Sequence, residues 1–387
     1  MSVMMLMASV VFLLVPSSGA WVIPAASVSP RQNFEIRSMA EVDPAEASSR
    51  ETKALRGPST TEQPKRLPVD YGLSDEEFEQ WLSIELHRAN PEVAELYPDL
   101  FQSAPKCITK WRHRYRGDMA LWKRIFKKDR VIKEFVEAAP IIDALVTWID
   151  QNEDPNKITI VDLASGKGYL SMMLSELLPP DKVEKCILVD KQFPMANSMP
   201  LAHHINWDHI YGTNPTTKQQ YFGTWPIPLH TSKQNIQRSC NKRQMKKILF
   251  DRAPGPIVVL AVHLCGKLSL HAVDMFNDHS NVEFFALKPC CLPPIQYRKD
   301  TFSLGNGRYT FPASEVCAVG KWSGKEWIGP PRWHLKDRFD KWSNHLLNGI
   351  AITIPEKEQK YSQEVTVQTS GGYQNTFLFA ERTHDVV

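Results

Sequence analysis

Ile158-Thr159-Ile160-Val161-Asp162-Leu163-Ala164-Ser165-Gly166-Lys167-Gly168-Tyr169 decides the fold. Its first half is a short β-branched apolar run and predicts a buried strand, while Leu170, Met173, Leu174, Leu177 and Leu178 share one helical face just beyond. Between them Gly166 and Gly168 make a strand-to-helix turn whose backbone can approach a ligand closely, with no Cβ atoms in the way. A nucleotide-like ligand fits such a turn. Ile187 to Val189 predicts a second buried strand, and Asp190 ends it 22 residues beyond Gly168, where a carboxylate can accept hydrogen bonds from ribose hydroxyls. Spacing alone leaves a dinucleotide-binding oxidoreductase open.

The turn itself separates the two readings. Asp162 stands ahead of Ala164-Ser165-Gly166-Lys167-Gly168, and this resembles motif I of class I methyltransferases, Asp/Glu-x-Gly/Ala-x-Gly-x-Gly. A dinucleotide turn places a third glycine where Leu170 or Ser171 stands, and lacks the acid immediately before it. The resemblance implies an S-adenosyl-L-methionine site built from Asp162, Ala164, Ser165, Gly166, Gly168 and Asp190, with motif I under the methionine part and Asp190 on the ribose.

Outward from the motif, Ile257 to Val262 and Val282 to Leu287 predict two more core strands. Val365 to Thr369 and Thr376 to Ala380, flanking Gly371-Gly372, predict an antiparallel hairpin. The expected fold is therefore α/β, a Rossmann-like class I methyltransferase with a mostly parallel sheet ending in that hairpin, across 151–387. Ahead of it, 71–150 predicts a helical region: Ser74 with Glu77 reads as a capping box, Phe78, Leu82 and Leu86 recur four apart, and Pro140 predicts an interruption of the last helix.

His263-Leu264-Cys265-Gly266 follows the fourth strand and Lys288-Pro289-Cys290-Cys291 the fifth, which puts both at the carboxyl edge of the sheet. With the Ser-Gly-Lys-Gly turn they resemble the domain shared by the tRNA 2′-O-methyltransferases of the acceptor stem and by glutathione-S-transferase-C-terminal-domain-containing relatives. The likeness spans about 157–292. The closely spaced Cys and His of those tRNA enzymes' zinc module are missing, and residues 203–225 read as an insertion before the third strand. His263 suits a base near neutrality or a satisfied structural histidine. The three cysteines suit either packing or the site, and no metal is expected, because adjacent cysteines chelate one tetrahedral ion less well than a pair with a two-residue spacer. The Asn/Asp-Pro-Pro-aromatic signature of amino-group methylation does not follow the fourth strand.

A formal net charge of +3 excludes no class of partner, so charge must be read locally. From Lys106 to Arg130 ten basic residues stand against two acids, with Trp111, Tyr115 and Trp122 interleaved. Phosphate neutralisation beside stacking planes predicts an RNA-facing surface, with a solvated helix over core aromatics as the competing reading; an RNA methyltransferase is therefore expected, with a protein or small-molecule methyltransferase or a degenerate RNA-binding fold as the alternatives. The apolar run Met4 to Val15 with Ser18 and Ala20 predicts a cleavable signal segment over 1–20, too short to span a bilayer comfortably. The Ala/Ser/Pro-rich stretch after Trp21 resembles the second part of two-part plastid presequences, within a leader over 21–70 that lacks apolar periodicity. A plastid is therefore expected, with the cytoplasm as the alternative, and no membrane attachment of the mature chain.

Overall fold

The computed structural model describes residues 73–195, 198–323, 326–367 and 373–382. The signal-like segment, the leader and the Gly371-Gly372 turn lie outside the described residues. No described helix is long and apolar enough to cross a membrane.

Five helices come first: α1 (Asp75–Ala89), α2 (Pro91–Leu96), α3 (Pro98–Arg114), α4 (Met119–Ile125) and α5 (Lys128–Gln151). Helix α1 starts where its sequence says, because Glu77 N–H donates to Ser74 Oγ at 3.2 Å and the Ser74 N–H returns a bond to the Glu77 carboxylate at 2.7 Å. Pro140 does not interrupt α5, which runs 24 residues through it. The missing N–H costs about 3 kcal/mol, but the turns on either side bury Phe135, Val136, Ala139, Ile141, Ile142 and Leu145, and that burial outweighs it.

The sheet then builds through β1 (Ile158–Leu163), α6 (Tyr169–Leu177), β2 (Val183–Asp190), α7 (Asp208–Tyr211), β3 (Leu229–Lys233), α8 (Ser239–Met245), β4 (Ile257–Cys265), α9 (Leu268–Asp278) and β5 (Val282–Cys291). Two short ribbons follow, β6 (Thr301–Leu304) with β7 (Tyr309–Pro312) and β8 (Lys321–Ser323) with β9 (Glu326–Ile328). Helix α10 (Lys336–Gly349) and the arms β10 (Glu358–Glu364) and β11 (Thr376–Arg382) complete the chain. The strand order is β10-β11-β5-β4-β1-β2-β3, with β1 to β5 parallel and β11 antiparallel to both neighbours. This is the class I methyltransferase sheet. The order reverses at β1, which pairs with β2 on one side and β4 on the other, so the crevice of a doubly wound fold opens at the carboxyl ends of β1 and β4.

Both faces of the sheet are covered, which is why its strands read as unbroken apolar runs. Ile160, Leu188, Val258 and Phe284 pack against α1 to α6, while Val161, Leu163, Val259 and Phe285 pack against α9 and α10. The first hairpin arm is 358–364 rather than Val365 to Thr369. It is an edge strand facing solvent, so its polar sequence hid it, and Val365 and Val367 are buried just after its end.

The segment from Lys106 to Arg130 corrects its sequence reading in part. Trp111, Tyr115 and Trp122 are core residues, 0%, 0% and 2% exposed, so none offers a stacking plane. Several of its cations are engaged within the protein: Arg112 with Asp75, Arg114 with Glu176 and over the Trp225 ring, and Lys128 with Glu85. Helical periodicity turns the same residues that alternate in sequence into one apolar and one charged face.

Candidate functional site

Four turn residues shape the pocket floor. Ala164 (φ 54°), Gly166 (φ 56°) and Gly168 (φ 84°) are all left-handed. At Gly168 a Cβ would lie 2.2 Å from Leu188 Cδ2, so any other residue there would have to displace that buried side chain where α6 meets β2. At Gly166 a Cβ would meet nothing within 4 Å; the space it would enter is open. Ser165 Oγ is buried there with no hydrogen-bond partner, a cost that a ligand's polar group would relieve.

Asp190 closes the turn. Its carboxylate accepts from Gly166 N–H at 3.2 Å and from Gln192 N–H at 2.7 Å, which fixes its direction and still leaves two acceptor positions. Asp162 lies beneath, 3% exposed, accepting from Ser171 Oγ at 2.8 Å. Burial pushes its carboxyl up to about 7, with Ser171 opposing. Helix α4 docks on the same turn, where Lys167 Nζ donates to Arg124 O at 3.0 Å and Tyr169 OH to Ile125 O at 2.7 Å.

His263, on β4, shares one cleft with Asp162, Ala164, Ser165 and Glu134. Its Nε2 lies 3.1 Å from Glu134 Oε2 and 3.5 Å from Glu137 Oε2, both on α5. Burial alone would raise Glu134, but the His263 bond and the His263 and Arg130 charges outweigh it and hold the carboxyl below its usual range. Glu137 also meets Lys288 at 3.3 Å, and burial lowers that 1% exposed ammonium. These acids escaped the sequence reading. The available signal was two carboxylates three apart on the otherwise apolar face of α5.

On the other side of the turn, Asp190, Gln234, Asn235, Ile236 and Leu268 line a groove. It shares Lys191, Gln234 and Asn235 with a cavity of about 1110 Å³ walled by the insertion between β2 and β3. Lys191, His203, His204, Lys233 and Arg238 line that cavity beside Trp207 and Tyr211, with no Asp or Glu among its described lining residues. The structure thus brings together all seven residues named from the sequence: Asp162, Ala164, Ser165, Gly166, Gly168, Asp190 and His263.

No curated protein matches the sequence. Among solved structures, the chain is similar to the CurJ carbon methyltransferase at 11% identity, covering 81% of this chain and 72% of that one with a TM-score of 0.37. A cyclopropane-fatty-acyl-phospholipid synthase-like protein from Lactobacillus casei ATCC 334 is similar at 11% identity, with coverages of 66% and 93% and a TM-score of 0.27. An O-methyltransferase family protein from Burkholderia thailandensis is similar at 10% identity, with coverages of 76% and 71% and a TM-score of 0.26. Residues 127–298 match the model of a family described as a methyltransferase domain, and that segment spans the turn, Asp190, His263 and both glutamates on a sheet with the class I methyltransferase strand order.

Proposed function

We propose that the chain transfers a methyl group from S-adenosyl-L-methionine to RNA, whose backbone is engaged by the basic cavity beside Asp190. The observation that carries the donor assignment is Asp190, oriented by Gly166 and Gln192 over open space with two acceptor positions left. The residues fit the donor: Asp190 would hold its ribose hydroxyls, Ile236, Leu268, Gln234 and Asn235 line the groove that would take its base, and the orphaned Ser165 hydroxyl would take a polar group. The donor supplies a sulfonium-activated methyl group, so the protein's share is alignment and removal of the acceptor's proton. His263, held by Glu134, takes that proton.

What supports RNA as the acceptor is the cationic lining of the cavity and its two aromatic rings. Lys106, Arg116, Lys123 and Lys127 add further exposed positive charge on the helical region. The test is incubation of the purified protein with labelled S-adenosylmethionine and separate fractions of cellular RNA and protein. Label in RNA, falling about 100-fold or more in His263→Gln with cofactor affinity kept, is the expected result. Label in the protein fraction alone would replace the acceptor, and none in either would remove the activity.

A further inference from the structure

The thiols of Cys265, Cys290 and Cys291 take no part in the proposed transfer, yet their sulfur atoms all lie within 4.8 Å of one another. We infer that they form a binding site for a thiophilic divalent cation, Zn²⁺, held by three thiolates with the fourth position left to water.

The site is built by strand pairing rather than by sequence spacing. Cys265 at the end of β4 stands opposite Cys291 at the end of β5, and Gly266 N–H donates to Cys291 O at 3.1 Å, locking the two strand ends together. The β4–β5 register shifts between Ala261 and Leu264 and again between Leu264 and Cys265, so the pairing at the strand ends is irregular. Gln374 donates to the Cys290 carbonyl from the far side. Adjacent residues of a regular strand point to opposite faces, but here Cys290 Sγ and Cys291 Sγ are 3.8 Å apart. Ligand sulfurs about 2.3 Å from a tetrahedral zinc stand about 3.8 Å from each other, so this pair already has the required bite.

Cys265 Sγ is closer, 2.8 Å from Cys290 Sγ. Admitting the ion requires it to withdraw by about 1 Å, which its exposed position allows. In the proposed site the adjacent pair need span only one edge of the tetrahedron, because the third sulfur arrives from another strand. Sulfur donors select zinc or cuprous copper over magnesium and calcium. No fourth His, Cys, Asp or Glu joins the group among the described residues, the pattern of a site with an open position. Binding breaks three S–H bonds and forms three Zn–S bonds; three protons pass to the buffer and no electrons move.

The full chain, reduced, stripped with a chelator and kept anaerobic, is titrated with Co²⁺ and then Zn²⁺. One equivalent of Co²⁺ develops thiolate-to-metal charge-transfer absorption, Zn²⁺ abolishes it, and about three protons appear per ion near neutrality. Cys265→Ser and Cys291→Ser each weaken zinc by about 100-fold or more against a chromophoric chelator, while Cys240→Ser, exposed elsewhere, binds as the wild type does. Should a serine variant fail to fold, the proton count on the unmodified chain decides. Absence of the charge-transfer band, unchanged affinity in a folded Cys265→Ser protein, or isolation with a Cys265–Cys290 disulfide in place of metal would each overturn the assignment. None of these readings depends on methyl transfer.

Discussion

Alanine at Gly166 and alanine at Gly168 should separate binding from folding. Both positions are left-handed, φ 56° and 84°, so each substitution costs about 1–2 kcal/mol of backbone strain. At Gly168 the new methyl would also press on Leu188 Cδ2 from 2.2 Å, and overpacking of that kind adds about 1–3 kcal/mol. Gly168→Ala should therefore lose about 2–5 kcal/mol of stability and Gly166→Ala about 1–2. Binding should show the reverse order: the Gly166 methyl enters the open space above the turn, where the donor is proposed to lie, while the Gly168 methyl points into the sheet. Chemical denaturation gives the first comparison and calorimetry with S-adenosylhomocysteine the second. A folded Gly166→Ala protein that binds at wild-type affinity would refute the placement of the donor on this turn.

Asp190→Ala should weaken the same ligand by about 1–3 kcal/mol, measured by calorimetry, and unchanged affinity would remove the carboxylate from the ribose. Asp162 makes stability pH-dependent in an identifiable direction. Its folded pKa, about 7, lies above the unfolded value near 3.9, so between them the folded chain holds a proton that the unfolded chain has lost. Stability is full below about pH 4 and falls toward pH 7 by up to about 4 kcal/mol from this group; Asp162→Asn should flatten that slope in denaturation series, although Glu283, also raised to about 7 by burial, leaves its own. Replacing Lys191, Lys233 and Arg238 together by Gln should reduce the salt slope of single-stranded RNA binding by about 2, read by fluorescence titration, and an unchanged slope would close the cavity to RNA. Arg114→Gln acts differently: it leaves Glu176, 2% exposed, without its closest cation, so thermal melting should register a loss of about 3 kcal/mol or more, and a neutral melt would contradict the buried pairing.

The sequence by itself determined the elements whose cause is local. A covered parallel strand must be apolar throughout, a turn that seats a helix on its strand needs Gly168, and a helix start needs Ser74 with Glu77; all three are written in consecutive residues. The proposed donor side of the site was legible for the same reason, since Asp162 to Gly168 is one continuous turn and Asp190 ends the next strand. Tertiary structure alone decided the rest. Glu134 reaches His263 across 129 positions of sequence, and Arg114 reaches Thr224 across 110, because packing α5 and α3 on the sheet brings together residues that no local pattern links. The aromatics from Trp111 to Trp122 were ambiguous in sequence because composition cannot say which side of a helix meets the core, and Pro140 was misread because burial around α5 exceeds the cost of one lost hydrogen bond. The three thiols are the extreme case: Cys265 meets Cys290 and Cys291 only because β4 and β5 pair in parallel, and register is a property of the sheet.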